Sequence, residues 1–408
     1  MFSTYNPSNL AKISEYQYID SAEIENIIQK SNTIFVQWGK KGIAERLNFI
    51  KTLINSLTKN KDLLAKTASE EMGKPLNQSV AEIDKCMVLC QFYLQNADFF
   101  LKSHKINADG TESYVNFEPL GVILGVMPWN FPYWQVFRFA IPTIIAGNTV
   151  LLKHASSVAG CAQLIEQVFA EAGFPDGVYK NLLIEGKQVK EVIEHPHVKA
   201  VSLTGSEKAG ASVASIAAAK IKKSVLELGG SNGLIILADA NLETAIPEAV
   251  KARFQNAGQS CIAAKRFFVH SSIYDAFLEE FIKQVAALKM GDPMQDDTYI
   301  GPMARVELAE DIEKQVNKSV AMGAKIVLGG TRNNAFYSPT ILTGVTTDMP
   351  VFNEEVFGPA DRLCLLILLK KWWHLATKAI LAWAYPSLQL ILKASSKRYT
   401  CLKKVPYL

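Results

Sequence analysis

The chain has 408 residues, of which 49% are hydrophobic and 20% are charged, and its formal net charge is +4. This length predicts two or more domains rather than one compact unit. Residues 361–408 hold nine of the 43 basic residues and one of the 39 acidic ones, so residues 1–360 carry 34 − 38 = −4. A mildly acidic body without a basic stripe argues against nucleic acid as a partner.

Cysteine usage and hydrophobic runs indicate the compartment. The start of the chain shows no charged segment followed by an apolar one, and no run of 18 apolar residues occurs. We therefore expect a reduced, cytoplasmic protein without a membrane partner. Cys86 and Cys90 lie one helical turn apart and are expected on a buried helix face. We expect no metal site, because no second pair of ligands is near them.

The first hundred residues predict helices, with Asp20 and Glu23 forming an N-cap and a long helix following Pro75. After Tyr114, short apolar runs alternate with helical patterns. Predicted strands are 122–126, 149–153, 182–184 and 200–203, and predicted helices are 132–146, 157–172 and 189–193. This alternation predicts a parallel sheet with ligands at the carboxyl ends of its strands.

A second α/β block is predicted from about residue 231 to residue 359. Its predicted helices are 242–255, 273–288 and 307–322, and a short strand is predicted at 325–328.

Cys261 follows the glycine-containing segment 255–260. A cysteine after such a turn can face a cleft and be activated by nearby backbone N–H groups. The alternative is an inert buried thiol, which is the commoner state of a cysteine.

Glu227 ends an apolar run and is followed by Gly229 and Gly230. A carboxylate shielded from water at a strand end can act as a general base. The alternative is an exposed glutamate at the end of a strand.

Asn130 lies in the turn 128–132 between two prolines. Its side-chain NH₂ can donate to a developing oxyanion, or it can satisfy only the turn itself.

The segment 204–210 follows a predicted strand and opens a helix, so its N–H groups suit a phosphate. Its Gly-x4-Gly spacing is weaker evidence than the usual dinucleotide fingerprint. Lys153, at the end of its strand, could reach a ribose or a phosphate, or lie on the surface.

Taken together, these segments resemble the signature set of the aldehyde dehydrogenase superfamily, and the resemblance covers roughly Tyr5 to Pro359. The segments 151–156 and 261–267 are most similar to the bacterial succinate-semialdehyde dehydrogenase branch. The motifs in chain order are Pro-Trp-Asn-Phe-Pro (128–132), Lys153, Thr-Gly-Ser (204–206), Glu-Leu-Gly-Gly (227–230), Gly-Gln-Ser-Cys (258–261) and Glu-Glu-Val-Phe-Gly-Pro (354–359).

The resemblance implies an α/β fold with a Rossmann-type cofactor domain and an α/β catalytic domain that is incomplete. Residues 1–228 would form the cofactor-binding domain, with a β-hairpin excursion near 107–121. Residues 229–360 would form a truncated catalytic domain, and residues 361–408 a tail outside the family.

The resemblance also implies an oxidation of an aldehyde by covalent catalysis. Cys261 would attack the aldehyde to give a thiohemiacetal and then a thioester. Asn130 and the N–H of Cys261 would hold the oxyanion, and Glu227 would activate water for deacylation.

The implied cofactor is NADP or NAD. Lys153 and Glu355 would hold the two riboses, and Phe357 would pack near the nicotinamide. Ser156 stands where many NAD-specific members have glutamate, which predicts that NADP is accepted and does not exclude NAD, because serine does not repel a 2′-phosphate. The other implied cofactor-binding residues are Trp129, Gly205, Ser206, Gly210 and Leu228.

The implied substrate is a four-carbon semialdehyde acid, succinate semialdehyde. Arg138 matches an arginine that binds the distal carboxylate of such substrates, for which a guanidinium is well suited. Gln255 stands where some members place a second arginine. The alternative is that Arg138 is an ordinary helix residue.

After Pro359 the sequence shows no family pattern; the expected strand, tunnel segment and partner-joining strand are not recognisable. The reversed charge and three of the six tryptophans in 361–408 favour a shifted reading frame, which translating the next frame tests. The rival is an added segment that lies on a membrane surface. For the chain with this tail we expect weak stability and little or no dehydrogenase activity. Three hypotheses for its function stay open: an active enzyme, a truncated chain that at most binds nucleotide, and a membrane-tethered variant. The family is usually homo-oligomeric.

Overall fold

The computed structural model describes residues 1–366 and 389–390, with side chains described up to residue 364. Its N-terminal part contains two antiparallel hairpins and three helices. The hairpin strands are β1 (Phe2–Tyr5), β2 (Lys12–Tyr16), β3 (His104–Lys105) and β4 (Tyr114–Val115), and the helices are α1 (Ser21–Trp38), α2 (Ile43–Met72) and α3 (Leu76–Leu101).

The predicted N-cap of α1 is confirmed, because the side chain of Asp20 accepts a hydrogen bond from the N–H of Glu23 at 2.8 Å. The β1–β2 hairpin was not predicted. Most side chains of β2 are exposed or half-buried, so this strand lacks the apolar run that would reveal it.

A five-stranded parallel sheet follows, in the order β7-β6-β5-β8-β9. One face of this sheet and the helices that cover it form the main core, which includes the fully buried Leu57, Phe137 and Val150. The strands are β5 (Val122–Met127), β6 (Thr149–His154), β7 (Tyr179–Asn181), β8 (Val198–Gly205) and β9 (Lys223–Leu228), and the helices are α4 (Trp134–Ile145), α5 (Ala159–Glu171), α6 (Val189–Glu194) and α7 (Glu207–Ala219).

The strand predicted around 182–184 lies three residues earlier, at Tyr179–Asn181. Pairing with β6 ends at Asn181, and Leu182 makes one further bond to the carbonyl of Leu152. The chain then turns, and the carbonyl of Leu183 accepts from Ile19 instead. The apolar residues after β7 are buried by the packing of this turn rather than by a strand.

The second α/β block contains a six-stranded sheet in the order β12-β15-β16-β11-β10-β17. All its neighbours are parallel except β12 and β15. The strands, with the separate hairpin β13–β14, are β10 (Asn232–Ile236), β11 (Ala264–His270), β12 (Lys325–Leu328), β13 (Arg332–Asn333), β14 (Phe336–Tyr337), β15 (Thr340–Thr343), β16 (Ala360–Leu366) and β17 (Gln389–Leu390), and the helices are α8 (Leu242–Phe254), α9 (Tyr274–Ala286), α10 (Val306–Ala321) and α11 (Pro350–Asn353).

The strand β16 corrects the expectation that no strand follows Pro359. It lies between β15 and β11 and pairs with both in parallel. Its signal was hidden because Asp361 and Arg362, which are unusual in a central strand, interrupt its apolar pattern.

These two residues of β16 are buried charges. Neither carboxylate oxygen of Asp361 accepts a hydrogen bond from a described residue, and burial raises its pKa to about 7. Arg362 donates from Nη2 to Ser231, while its Nε and Nη1 have no described partner. Because a charge buried without hydrogen bonds is costly, β16 is a weak point of this sheet.

The carboxyl ends of β5, β6, β8 and β9 point to one edge of the first sheet, where the second block faces it. Three residues separate the end of β9 at Leu228 from the start of β10 at Asn232. The division of the chain into domains remains a prediction.

In the part of the chain that the structure describes, no helix is long and apolar enough to cross a bilayer. The membrane-surface alternative for the tail concerns residues that lie mostly outside the described ones.

Candidate active site

The turn before Cys261 has an unusual backbone. A short 3-10 turn, Gln255–Gly258, brings Asn256 (φ 55°), Ala257 (φ 51°) and Gly258 (φ 70°) into the left-handed region in succession. A Cβ at Gly258 would lie 2.4 Å from the carbonyl oxygen of Gly358, so no other residue fits there. Left-handed non-glycine residues each cost about 1 kcal/mol or more, and such strain is often found at functional sites.

Contacts from distant residues hold this turn. The side chain of Gln78, at the start of α3, accepts from the N–H of Asn256 at 2.7 Å and donates to the carbonyl of Tyr299 at 3.0 Å. The side chain of Asn256 donates to the carbonyl oxygens of Asn130 (2.8 Å) and Gln259 (3.2 Å). The turn that carries Cys261 is thus tied to the turn that carries Asn130.

Asn130 is buried beside the nucleophile turn. One of its amide hydrogens is donated to the carbonyl of Gln259 at 3.1 Å, which leaves the other for a ligand. The N–H of Cys261 donates to no residue that the structure describes. These are the two donors that the resemblance assigns to an oxyanion.

A cavity of about 380 Å³ collects most of the predicted site residues. Trp129 and Phe357 meet edge to face on its wall, with ring centroids 5.8 Å apart. The predicted residues that line it are Trp129, Asn130, Gly205, Ser206, Glu227, Leu228, Cys261, Glu355 and Phe357, and the residues not predicted are Pro128, Gln135, Thr204, Gly229, Arg305 and Leu308.

Glu227 does not have the shielding that the sequence analysis expected. Its side chain is 53% exposed, and its Oε2 lies 3.5 Å from Nη1 of Arg138. The physical reason is that β9 is the edge strand of its sheet and most of its side chains are exposed. A role as general base therefore depends on the arginine and the solvent around it rather than on burial.

Arg138 does not line the Cys261 cavity. It lies in a neighbouring cavity of about 400 Å³ that shares Thr204 and Glu227 with the first. Its Nη2 donates weakly to Thr204 Oγ1 at 3.4 Å. The arginine thus faces a space that opens beside Glu227.

The turn at the start of α7 suits a phosphate. Ser206 caps the helix by accepting from the N–H of Ala209 at 3.3 Å, and the first turn is exposed. A Cβ at Gly210 would lie 2.5 Å from Cδ2 of Leu228, so this glycine permits close packing of α7 on β9. A 13-residue helix beginning in this way presents free N–H groups and the positive end of its dipole.

Lys153 and Ser156 lie near the carboxyl end of β6, outside the Cys261 cavity. Lys153 is half-buried, and this burial lowers its pKa; it forms no ion pair with a described residue. Ser156 is half-buried at the first position of a 3-10 turn. Both are available to a ribose or phosphate.

Sequence reasoning missed the residues that support the Asn130 turn. The buried Glu82 accepts from the N–H groups of Tyr133 and Trp134, each at 2.8 Å, and pairs with the buried Lys74. His154 donates from Nε2 to the carbonyl of Pro132 at 2.8 Å, and burial lowers its pKa to about 4, so it is neutral. No local pattern reveals the contacts to the Asn130 turn, because Glu82 and His154 lie 22 to 52 residues from their partners in that turn.

Sequence reasoning also missed Lys265, although it lies in a quoted motif. Its ammonium is fully buried and contacts Glu355 at 2.7 Å and the carbonyl of Cys261 at 2.8 Å. A lysine inside an apolar strand, four residues after the candidate nucleophile, was the available signal.

Among the residues that the structure describes, no group of three His, Cys, Asp or Glu side chains is placed to hold a metal ion. The side chains that line this site include a thiol, an amide donor and a carboxylate.

The fold and the site define the class of protein: two α/β units face each other across a cavity with a cysteine on its wall, as in dehydrogenases that oxidise aldehydes. The chain matches the profile of the Aldehyde dehydrogenase family over residues 1–364, and it belongs to that family. The match extends four residues into the segment that the sequence analysis assigned to the tail, within β16.

Two similar proteins within this family carry a specific name. The chain is 43% identical over 363 residues to the NAD(P)+ succinate semialdehyde dehydrogenase Sad of Escherichia coli, covering 88% of this chain and 79% of the relative. It is 42% identical over 360 residues to the probable NADP+ succinate-semialdehyde dehydrogenase of Synechocystis, with the same coverage.

Solved structures agree with this fold. The chain resembles a structure described as giving insights into cofactor and substrate selection by Gox0499, with a TM-score of 0.90, 36% identity, and coverage of 92% of this chain and 83% of that one. It also resembles succinic semialdehyde dehydrogenase from Streptococcus pyogenes in complex with NADP+, with a TM-score of 0.90, 33% identity, and coverage of 93% and 84%.

Proposed function

We propose that the chain catalyses the oxidation of succinate semialdehyde to the acid with NADP+ or NAD+, with NADP+ preferred. One observation supports this most: Cys261, Asn130 and Glu227 line one cavity together with Glu355 and Phe357. The names of the relatives in Escherichia coli and Synechocystis agree with this substrate and with these cofactors.

The residues would act in sequence. The thiolate of Cys261 attacks the carbonyl carbon, a C–S bond forms, and the π electrons move to oxygen. Asn130 Nδ2 and the N–H of Cys261 donate to this oxyanion. A nicotinamide held in this site would supply the hydride acceptor, and loss of the hydride from the carbon would leave a thioester on Cys261. Glu227 then takes a proton from water, whose oxygen attacks the thioester, and the C–S bond breaks.

Several features of the site fit a dinucleotide. The phosphates would meet the N–H groups at the start of α7. Lys153 and Glu355 would hold the riboses, and Trp129 and Phe357 would flank the nicotinamide. Ser156 would tolerate a 2′-phosphate because it carries no charge.

The distal carboxylate of the substrate would bind Arg138. The guanidinium opens on the cavity next to Glu227 and Thr204, and its present partner is a carboxylate. The carboxylate of succinate semialdehyde would take the place of the Glu227 carboxylate beside Arg138.

A second candidate function is nucleotide binding with little turnover. Two observations favour it: Asp361 and Arg362 weaken β16, and Glu227 lies exposed. In this case the dinucleotide site, built from the first sheet, would remain competent while deacylation would be slow.

The test is an assay of reduced-nicotinamide absorbance with succinate semialdehyde, run beside nucleotide titration. Its arms are the chain itself, its Cys261→Ala variant, and a chimera that continues after Pro359 with the segment of the Escherichia coli relative. We expect slow turnover by the chain, faster turnover by the chimera, and none after Cys261→Ala in either. Turnover that survives this replacement in the chimera would refute Cys261 as the nucleophile. Nucleotide binding without turnover, in both the chain and the chimera, would favour the second candidate function.

Location and assembly are also proposals. The five described cysteines are free, which supports a reduced compartment such as the cytoplasm. The resemblance implies a homo-oligomer, which light scattering of the purified chain would test. Membrane fractionation would test the tethered alternative.

A further inference from the structure

Lys265 is a buried lysine at the second position of β11, four residues after Cys261. Its side chain is fully shielded from solvent. Its Nζ lies 2.8 Å from the carbonyl oxygen of Cys261, 2.7 Å from that of Gly230, and 2.7 Å from Oε1 of Glu355. An ammonium has three N–H donors, and these three acceptors use all of them.

Each acceptor belongs to a different part of the proposed machinery. Cys261 is the proposed nucleophile, Gly230 ends the turn that follows Glu227, and Glu355 is the proposed ribose-binding carboxylate. The Glu355 carboxylate also accepts from the N–H of Gly230 at 3.2 Å. One cation therefore joins three elements that are distant in sequence.

The close approach of these elements depends on Gly229. A Cβ at this position would lie 2.1 Å from Oε2 of Glu355. The carboxylate thus lies directly over the backbone that follows Glu227, and Lys265 holds it there. The ring of Phe357 lies 5.8 Å from Nζ, so the proposed nicotinamide wall belongs to the same cluster.

Electrostatics explains why a lysine occupies this position. Burial lowers the pKa of Lys265, and the Glu355 carboxylate and the Cys261 thiolate oppose that shift. Two carbonyl oxygens and a carboxylate converge on one point, and only a side chain with several donors and a positive charge satisfies all of them. A neutral residue would leave Glu355 without its counter-charge.

We propose that Lys265 is a positioning residue that couples the cofactor site to the nucleophile: its ammonium fixes the Glu355 carboxylate relative to Cys261. This inference rests on the proposed function, which assigns ribose binding to Glu355 and the nucleophile to Cys261. A nucleotide that engages Glu355 then acts on the Cys261 turn through Lys265. Loss of the ammonium changes both nucleotide affinity and thiol reactivity.

The experiment uses the full chain and two readouts. One is the dissociation constant of NADP+ by titration. The other is the rate of iodoacetamide modification at Cys261 without nucleotide, followed by peptide mass spectrometry. The variants are Lys265→Met, Glu355→Gln and their combination, with Lys265→Gln as a milder change that keeps an NH₂ donor group but no charge.

Lys222→Met is the matched control. Lys222 also donates to two carbonyl oxygens, those of Ile193 and His195, but lies away from the site. It reports the effect of losing a lysine that ties main-chain segments together. Thermal unfolding of every variant identifies those that fail to fold, and Lys265→Gln carries the test if Lys265→Met fails.

We expect Lys265→Met and Glu355→Gln each to weaken NADP+ binding about tenfold, and the double variant to be no weaker than either by more than about twofold, because the two act as one unit. We expect Lys265→Met to slow alkylation of Cys261 about fivefold, since the backbone that presents the thiol loses its contact with the ammonium. Lys222→Met should change neither readout.

The outcomes separate the two proposals. Additive losses in the double variant, or unchanged affinity and alkylation in Lys265→Met, would overturn the role of Lys265 while leaving the proposed function intact. If the parent chain binds no NADP+ but Lys265→Met alone slows alkylation, the positioning role stands and the proposed cofactor fails. An equal effect in Lys222→Met would reduce Lys265 to a structural residue.

Discussion

Nη1 of Arg138 lies 3.5 Å from Oε2 of Glu227, so the proposed substrate-binding cation and the proposed base form an ion pair. Both side chains are substantially exposed, so the pair is weak and can exchange partners. A substrate carboxylate that binds Arg138 would compete with Glu227 for it.

Replacement of Arg138 tests this exchange. We expect Arg138→Gln to raise KM for succinate semialdehyde about 10- to 100-fold, because a charge-assisted contact worth about 1.5–3 kcal/mol is lost. KM for butanal, which has no distal carboxylate, should change little. The comparison is made by initial rates in the chimera. An equal rise for both aldehydes would mean that Arg138 has no role in carboxylate recognition.

Replacement of Glu227 separates acylation from deacylation. We expect Glu227→Gln to lower steady turnover about 10²- to 10⁴-fold, because the base that activates water is lost. The first turnover should remain, since thioester formation does not use this carboxylate. Stopped-flow measurement on the chimera should therefore show a burst of reduced nicotinamide of about one per site. Loss of the burst would place Glu227 in the earlier steps.

A charge at position 156 tests the cofactor preference. We expect Ser156→Glu to lower kcat/KM with NADP+ at least about tenfold relative to NAD+, because a carboxylate near a 2′-phosphate costs on the order of 1–4 kcal/mol. Ser157→Glu places the same charge one residue further on and serves as the control. A parent chain with a much higher kcat/KM for NAD+ than for NADP+ would already contradict the preference.

Asp361 should make stability depend on pH. Its pKa in the folded chain is about 7, against 3.8 when exposed, because burial disfavours the charged carboxylate by more than the nearby Arg253 and Arg362 stabilise it. The folded state therefore binds this proton more tightly than the unfolded state does. Below pH 3.8 the carboxyl is protonated in both states and does not lower the free energy of unfolding. As the pH rises from 3.8 to about 7, the buried carboxyl lowers the free energy of unfolding progressively, by roughly 4 kcal/mol in all.

Asp361→Asn, which mimics the protonated acid, should accordingly stabilise the chain. We expect its gain in the free energy of unfolding to be near zero in acid and roughly 4 kcal/mol above pH 7. Urea unfolding of parent and variant at several pH values measures this difference. Asp239→Asn removes an exposed carboxylate and should show no such trend. A gain that is equal at all pH values would mean that Asp361 is not a buried charge.

The sequence alone was sufficient where the signal is local. The N-cap of α1 depends on residues three apart, and the alternation of strands and helices from β5 to β8 is visible in short apolar runs. The motifs around Asn130, Glu227 and Cys261 indicated the family, which the match over residues 1–364 shows. Short-range patterns work here because each reflects interactions between near neighbours in the chain.

Only the tertiary structure revealed the relationships between distant segments. Gln78 holds Asn256 across 178 positions, and Lys265 holds Glu355 across 90. The strand β16 forms despite Asp361 and Arg362, because β15 and β11 provide paired edges on both sides. Neither the exposure of Glu227 nor its pairing with Arg138 follows from their own segments. Such contacts depend on which elements pack together, and this information is distributed over the whole chain rather than held in any one motif.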